Sequence, residues 1–283
     1  MTQRLIEITI DGRPCRVPDG GTLLDGCRDL GIETPTLCYA ENLTPVNACR
    51  VCVVEVEGSR ALVPACSRRA EAGMVVRTDT ERVRLSRRLV LELLGSSVDL
   101  TLAKGLESAV TRYGARPERF GPDAATVAQP TKVDNELYVR DYSRCVLCYK
   151  CVEACGTDAQ NTFAIAVAGR GFHAGISTEF AVPLPDSACV YCGNCIGVCP
   201  TGALMFKSEH EMRAAGSWDE SRQTSTDTIC PYCGVGCTVT LHVQDNSIVK
   251  ASSPHDHEVG RGHLCIKGRF GWQFVQNIRS KQP

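Results

Sequence analysis

The chain alternates before it turns helical. Ile6, Ile8 and Ile10 fall at every second position of a strand over Leu5 to Ile10, Asp11-Gly12 is a tight-turn pair, and Pro14 to Val17 reads as the returning strand. Thr22 to Leu30 takes on helical spacing and stops at Gly31, so a hairpin followed by a short helix is predicted. A short apolar run, Val51 to Val56, follows. Between Glu81 and Leu94 the apolar positions Val83, Leu85, Leu89, Val90, Leu93 and Leu94 come close to the helical period, and Arg82, Arg84, Arg87 and Arg88 between them read as a solvated face. Phe163 to Val167 and Phe172 to Ser177 flank Ala168-Gly169-Arg170-Gly171 as a hairpin whose glycines only turn the chain, because a phosphate loop needs a longer glycine pattern at a strand-to-helix junction. Ser217 to Asp227 is polar and reads as a linker; residues 238–243 and 247–251 form a last hairpin around Asp245-Asn246.

These elements are short for a chain of 283 residues, and length with pattern suggests several small domains. A domain of roughly 60 residues buries too little surface to be comfortably stable and commonly needs a disulfide, a metal or a partner. Eighteen cysteines are available for that purpose. A secreted disulfide scaffold would need a leader, and the opening segment MTQRLIEITIDG has no basic region followed by an apolar run, so a reducing, cytoplasmic location is expected. The formal net charge of -1 gives no reason to invoke nucleic acid, and no stretch approaches the roughly 20 apolar residues of a membrane span. The expected partners are other proteins.

The cysteines carry the chemistry, and sixteen of them fall into four sets of four. In the first set, ten residues separate Cys38 from Cys49, two separate Cys49 from Cys52, and thirteen separate Cys52 from Cys66. Thiolates on a loop beside a small sheet suit a 2Fe-2S cluster, although the plant-type ferredoxin spacing has four residues between its first two ligands. Zinc stays open as an alternative, since Cys-x-x-Cys pairs also bind it. Cys15 and Cys27 match no ligand position and are expected to be packing residues.

Cys145, Cys148, Cys151 and Cys155 repeat as Cys189, Cys192, Cys195 and Cys199, the latter followed by Pro200. In the bacterial ferredoxin pattern the first three cysteines of each run hold one 4Fe-4S cluster and the fourth crosses to the other. The expected sets are therefore Cys145, Cys148, Cys151 and Cys199, and Cys189, Cys192, Cys195 and Cys155. Gly156 stands where the pattern usually has proline and is expected to weaken the geometry on that side. His173, between the runs, is expected to be structural. A fourth set, Cys230, Cys233 and Cys237 in ICPYCGVGC with Cys265 in GHLCIKGRFGW, is returned to one place by the last hairpin. His242, His255, His257 and His263 have no converging pocket and take no acid-base role.

The segments PTLCYAENLTPVNACRVCVVEV and PACSRRAEAGMVV resemble the N-terminal 2Fe-2S domain of the large iron-sulfur subunit of complex I, of diaphorase subunits of NAD-reducing hydrogenases and of cytosolic NAD-linked formate dehydrogenases. That resemblance implies a β-grasp fold. ICPYCGVGC with CIKGRFG resembles the opening 4Fe-4S domain of molybdenum or tungsten bis(pterin) oxidoreductases, most of all formate dehydrogenases, and implies that Lys267 lies between the cluster and a pterin. The chain departs from these families in one place. Residues 95–140 contain neither cysteine nor histidine, so the extra 4Fe-4S cluster that those families bind there through one histidine and three cysteines is absent, and a repacked helical connector is expected.

The resemblance implies an α+β multi-domain chain: a β-grasp 2Fe-2S domain over 1–80, a helical connector over 81–137, a double 4Fe-4S ferredoxin domain over 138–216, and a small 4Fe-4S domain of the molybdopterin-oxidoreductase type over 224–283. One 2Fe-2S and three 4Fe-4S clusters are expected here, with no catalytic residue. Mo/W-bis(pterin), FMN and NAD would belong to partner chains, namely a molybdopterin-containing catalytic subunit and flavin/NAD-binding diaphorase subunits. The implied role is electron transfer in a formate dehydrogenase. A diaphorase subunit of a nickel-iron hydrogenase or a complex I relative is one alternative, and a non-catalytic zinc or cluster-carrying scaffold is another.

Overall fold

In the computed structural model, which describes residues 4–126 and 129–279, Asp11 and Gly12 take φ of 49° and 77°. That left-handed pair is what a two-residue hairpin turn requires, and it joins β1 (Leu5–Ile10) to β2 (Arg13–Pro18) in antiparallel register with Ile8 opposite Cys15. Helix α1 (Leu23–Asp29) follows. Its start is a capping box: the Asp25 amide donates to Thr22 Oγ1 at 3.2 Å, and the Thr22 amide donates to the Asp25 carboxylate at 2.7 Å. The alternating isoleucines of β1, Cys15 and Val17 of β2, and Leu23, Leu24 and Cys27 of α1 share one buried core. Cys15 and Cys27 are thus packing residues.

The chain forms two compact units, the first comprising Met1–Tyr39, Pro45–Thr126 and Val146–Cys148. Three further strands, β3 (Val53–Val56), β4 (Val63–Pro64) and β5 (Val75–Arg77), complete its five-stranded sheet in the order β2-β1-β5-β3-β4. Only β1 and β5 run parallel. A mixed sheet with its first hairpin beside its last strand and a helix in its core is compatible with a β-grasp fold. The Asp11 carboxylate accepts a 2.7 Å bond from the Thr78 amide and so ties the first turn to the end of β5.

In this unit the cysteine-free stretch begins in the last turn of one helix and contains a second. Helix α2 (Glu81–Ser97), capped by Thr80, and helix α3 (Leu106–Tyr113) build a second core in which Leu91, Leu106, Ala109 and Tyr113 meet Leu37 and Val51, the neighbours of Cys38 and Cys52. The arginine run of α2 is not uniformly solvated. Arg87 lies one turn from both Val83 and Leu91 on the inward face, is 1% exposed, and donates to Val53 O at 2.9 Å and to the Tyr113 hydroxyl. The helical period places it there, and its reach lets it satisfy a carbonyl of the sheet.

The second unit comprises Ala40–Thr44, Val127–Cys145 and Tyr149–Pro283. It begins with β6 (Tyr138–Arg140), α4 (Lys150–Cys155), β7 (Ala166–Ala168), β8 (Gly175–Ser177), α5 (Asn194–Val198), β9 (Leu204–Phe206) and α6 (Lys207–Ala214). β6 and β9 pair antiparallel, so the start of the first cysteine run lies beside the end of the second, and Ala154 of α4 meets Val198 of α5 in a small core with Leu43. The β7–β8 hairpin is shorter than the sequence pattern suggests: Phe163 takes a φ of 53° outside it, and Gly171–His173 forms a single 3-10 turn.

A three-stranded sheet of β10 (Thr224–Ile229), β11 (Thr238–Gln244) and β12 (Ser247–Ser252) follows, then α7 (Ile266–Phe270) and α8 (Trp272–Arg279). Asp245 and Asn246 turn β11 into β12 with φ of 51° and 61°, the same device as Asp11-Gly12. The linker reading of 217–227 is corrected here. Its last four residues are part of β10, fully paired to β11 although every residue of β10 is exposed. Backbone pairing and its β-branched threonines hold this edge strand, so no apolar alternation announces it.

Candidate metal centres

Cys38, Cys49 and Cys52 of the first set lie on the loop between α1 and β3, and Cys66 lies just after β4. Cys38, Cys52 and Cys66 are buried and Cys49 is partly so. Cys38 shares hydrogen bonds with Cys49 and Cys66, and Cys66 with Cys52, so the four sulfurs form one connected group. Those shared hydrogen bonds pull the Cys38 thiol far down and Cys52 to about 7, and push Cys49 and Cys66 up. Asn47 and Arg50 bend the loop with φ of 60° and 57°, and Asn47 Oδ1 accepts from Ser67 Oγ at 2.5 Å beside Cys66. Four soft donors linked in one chain of contacts, three of them buried, fit a thiolate-ligated iron-sulfur group.

The two ferredoxin runs share a backbone path. Leu147 and Tyr149, two and four residues after Cys145, take φ of 51° and 66°; Tyr191 and Gly193, at the matching places after Cys189, take 56° and 70°. Each left-handed residue turns the chain around the thiols and feeds a short helix, α4 or α5. Cys155, Cys189, Cys192 and Cys195 line one cavity together with Tyr138, Arg140, Tyr142 and the apolar side chains of Ile165, Leu184 and Leu204. Cys199, next in sequence to that second run, is not among its lining residues. Cys148 and Cys151 are buried, whereas Cys145 and Cys199 are partly exposed, with Cys199 Sγ 4.0 Å from Thr201 Oγ1.

The cavity is furnished for an anionic, sulfur-rich group. The Ala164 amide points to Cys155 Sγ at 3.2 Å, the Tyr191 amide to Cys189 Sγ at 3.4 Å, and the Tyr138 hydroxyl lies 3.1 Å from Cys189 Sγ. Arg140, 2% exposed and ion-paired to Asp134, keeps its Nε–H without a partner among the described residues. Burial, and then the neighbouring thiols, pushes Cys195 well up, and burial pushes Cys192 up. A bare thiolate is costly there, and bound iron would supply the compensating positive charge.

Gly156 does not weaken this arrangement. Its N–H donates to Val152 O at 2.8 Å and Glu153 O at 3.1 Å, closing α4, whose last residue is Cys155. Proline has no N–H and forces the preceding residue out of helical geometry, so it suits position 200, where Cys199 is extended with ψ of 117°, and not 156.

In the fourth set Cys230 is buried, Cys237 partly buried, and Cys233 and Cys265 exposed. The Cys230 amide donates to Cys237 O at 2.8 Å, and the Cys237 thiol is pushed up by burial and by the nearby Cys230, Cys233 and Cys265. Lys267 is exposed on α7, two residues after Cys265. The histidines are engaged elsewhere. His242 contacts Ser225 and Ser252, His257 contacts Val259, and His263 contacts Asn42 at 3.2 Å and is pushed down by burial. His173 is exposed in its 3-10 turn. Among the described residues, no three His, Cys, Asp or Glu side chains form a site for a single metal ion.

Three residues beside these sets carry no sequence signal of their own. Tyr138 reaches Cys189. Asn194, between Cys192 and Cys195, accepts from the Leu264 amide at 2.9 Å and from Arg269 Nη2 at 3.2 Å, linking the second ferredoxin run to the segment of Cys265. Arg269 is 1% exposed, and burial lowers its guanidinium to about 10, still protonated at neutral pH.

Family models match three stretches: the 2Fe-2S iron-sulfur cluster binding domain at 3–81, the ferredoxin-like domain of NADH-quinone oxidoreductase subunit 3 at 136–205, and the molybdopterin oxidoreductase Fe4S4 domain at 223–277. The chain is 35% identical over 99% of its length to a G-type NADH-quinone oxidoreductase subunit of Rhizobium meliloti, covering 33% of that protein. It is 27% identical over 98% of its length to a provisionally named formate dehydrogenase of Staphylococcus haemolyticus, covering 32% of that protein. The chain thus spans about a third of the length of the curated relatives it matches. Among solved structures it is similar to a chain in the crystal structure of an NAD+-reducing [NiFe]-hydrogenase, with a TM-score of 0.63, 25% identity, and coverage of 71% of this chain and 87% of the other. No helix among the described residues is long and apolar enough to cross a membrane. Three iron-sulfur domain families thus lie along the chain, which is similar in its domain order to the iron-sulfur portion of G-type subunits of NADH-quinone oxidoreductase and to a chain of an NAD+-reducing [NiFe]-hydrogenase.

Proposed function

We propose that this chain carries electrons between a molybdenum or tungsten bis(pterin) centre and a flavin subunit that exchanges them with NAD, and that formate is the compound oxidised. The observation that supports this most directly is the match of residues 223–277 to a molybdopterin oxidoreductase Fe4S4 domain, behind a 2Fe-2S and a ferredoxin-like domain. The crossed sets of the ferredoxin runs, the set of Cys38, Cys49, Cys52 and Cys66 and the set of Cys230, Cys233, Cys237 and Cys265 are the proposed ligands, and Lys267 is proposed to face the pterin. When bound, one 2Fe-2S and three 4Fe-4S clusters supply one-electron relays. The chain's own residues hold them, exclude water and set their potentials through hydrogen bonds to sulfur. The reading places the protein in the cytoplasm, among molybdopterin-containing and flavin/NAD-binding chains.

The second reading is a subunit of an NAD-reducing nickel-iron hydrogenase, favoured by the similarity to the hydrogenase structure. Metal analysis of the natively purified, oxygen-protected assembly separates the two. Stoichiometric molybdenum or tungsten with formate-dependent reduction of NAD is the expected result. Nickel without either metal, and hydrogen-dependent reduction, would replace the formate reading.

A further inference from the structure

Arg269 is a buried cation whose hydrogen-bond partners carry no formal charge. Its terminal nitrogens donate to Ala251 O at 3.3 Å, Asn194 Oδ1 at 3.2 Å and Gly262 O at 3.4 Å. Among the described residues its Nε–H has no partner, and no carboxylate pairs with it. A lone guanidinium 1% exposed is expensive to bury unless an anion lies near. The thiols that face it electrostatically are Cys192 and Cys195, which would be thiolates when they hold a cluster.

The second ferredoxin run is shaped to receive this side chain. A Cβ on Gly197 would stand 3.2 Å from both terminal nitrogens of Arg269, and one on Gly193 would stand 2.9 Å from its Cγ and 3.0 Å from the Phe270 ring. Glycine at both places leaves the slot open. Phe270 continues the contact: its ring stacks on Tyr138, centroids 6.3 Å apart, and Tyr138 reaches Cys189. Asn194 uses one oxygen to hold both Arg269 and the amide of Leu264, the residue before Cys265. One side chain from the last cysteine segment is therefore inserted, charged, behind two ligand positions of the preceding one.

We propose that Arg269 is a positioning residue that raises the reduction potential of the 4Fe-4S cluster held at Cys192 and Cys195 relative to its neighbours, while Asn194 fixes the Cys265 segment against it. This rests on the reading that these thiols bind a cluster. Reduction adds negative charge to the cluster, and a fixed positive charge in a water-poor interior stabilises that state, so the potential rises. The same contact makes the order of potentials along the second unit depend on a residue that ligates nothing.

The test is an EPR-monitored redox titration of the iron-loaded protein and its Arg269→Gln and Arg269→Lys variants, with iron per chain measured on each sample. Arg269→Gln is expected to shift the midpoint of a single 4Fe-4S signal to lower potential at unchanged iron content, and Arg269→Lys to restore most of that shift. An unshifted midpoint in Arg269→Gln with iron intact overturns the inference and leaves the cluster reading standing; absence of iron from the unsubstituted protein defeats the cluster reading itself. If Arg269→Gln loses iron, Arg269→Lys decides: retained iron with a midpoint near the original supports the role of the charge, and iron loss equal to that of Arg269→Gln contradicts it.

Discussion

Cys199 and Cys155 show how much a residue's number misleads about its place. Cys155 ends the first run in sequence, yet it lines a cavity with the three leading cysteines of the second. Cys199→Ser is therefore expected to damage the cluster at Cys145, Cys148 and Cys151, and Cys155→Ser the cluster at Cys189, Cys192 and Cys195. Each variant should lose up to four irons per chain, or keep a cluster with an altered EPR signal, while the other 4Fe-4S signals persist. The reverse pattern of losses would refute the crossed assignment. The grouping of Cys155 with the second run was legible from spacing alone, because two four-cysteine runs have a recurrent solution. Arg87 was not. Four arginines in seven residues resemble a solvated face, and only the packed helix reveals that one of them shares the inward side with Val83 and Leu91. Asn194 and Arg269 were equally silent, since each acquires its role from a partner 75 residues away.

At the scale of elements, turn chemistry was the most readable feature. Asp11-Gly12 and Asp245-Asn246 specify left-handed two-residue turns, and both hairpins form where those pairs stand. Elements held by pairing alone were hidden, as β10 shows: with no buried face it leaves no periodicity to read. Helix α4 makes a sharper point. Its last residue is Cys155, and Gly156 closes it with an N–H that proline lacks. Gly156→Pro, although it imitates Pro200, is expected to destabilise α4 by about 3 kcal/mol and to displace Cys155. Iron counts and the EPR signal of the cluster at Cys189, Cys192 and Cys195 would register this as a loss confined to that cluster; an unchanged signal would show that α4 tolerates an extended Cys155.

For the molecule as a whole, cysteine spacing outweighs every other sequence signal. Its units are assembled from short strands, short helices and loops, and their cores run up to the thiols: Leu37 and Val51 beside the first set, Ala154 and Val198 between the ferredoxin runs, Cys230 itself beside Val239 and Trp272. Cluster binding and folding are accordingly expected to be coupled. The measurement that bears most directly on the account is quantitation of iron and acid-labile sulfide per chain on anaerobically purified protein, with EPR spectra of the reduced state. One 2Fe-2S and three 4Fe-4S clusters predict about fourteen irons, a brown protein, and one two-iron signal together with four-iron signals. A colourless protein loaded with zinc and lacking labile sulfide would contradict it.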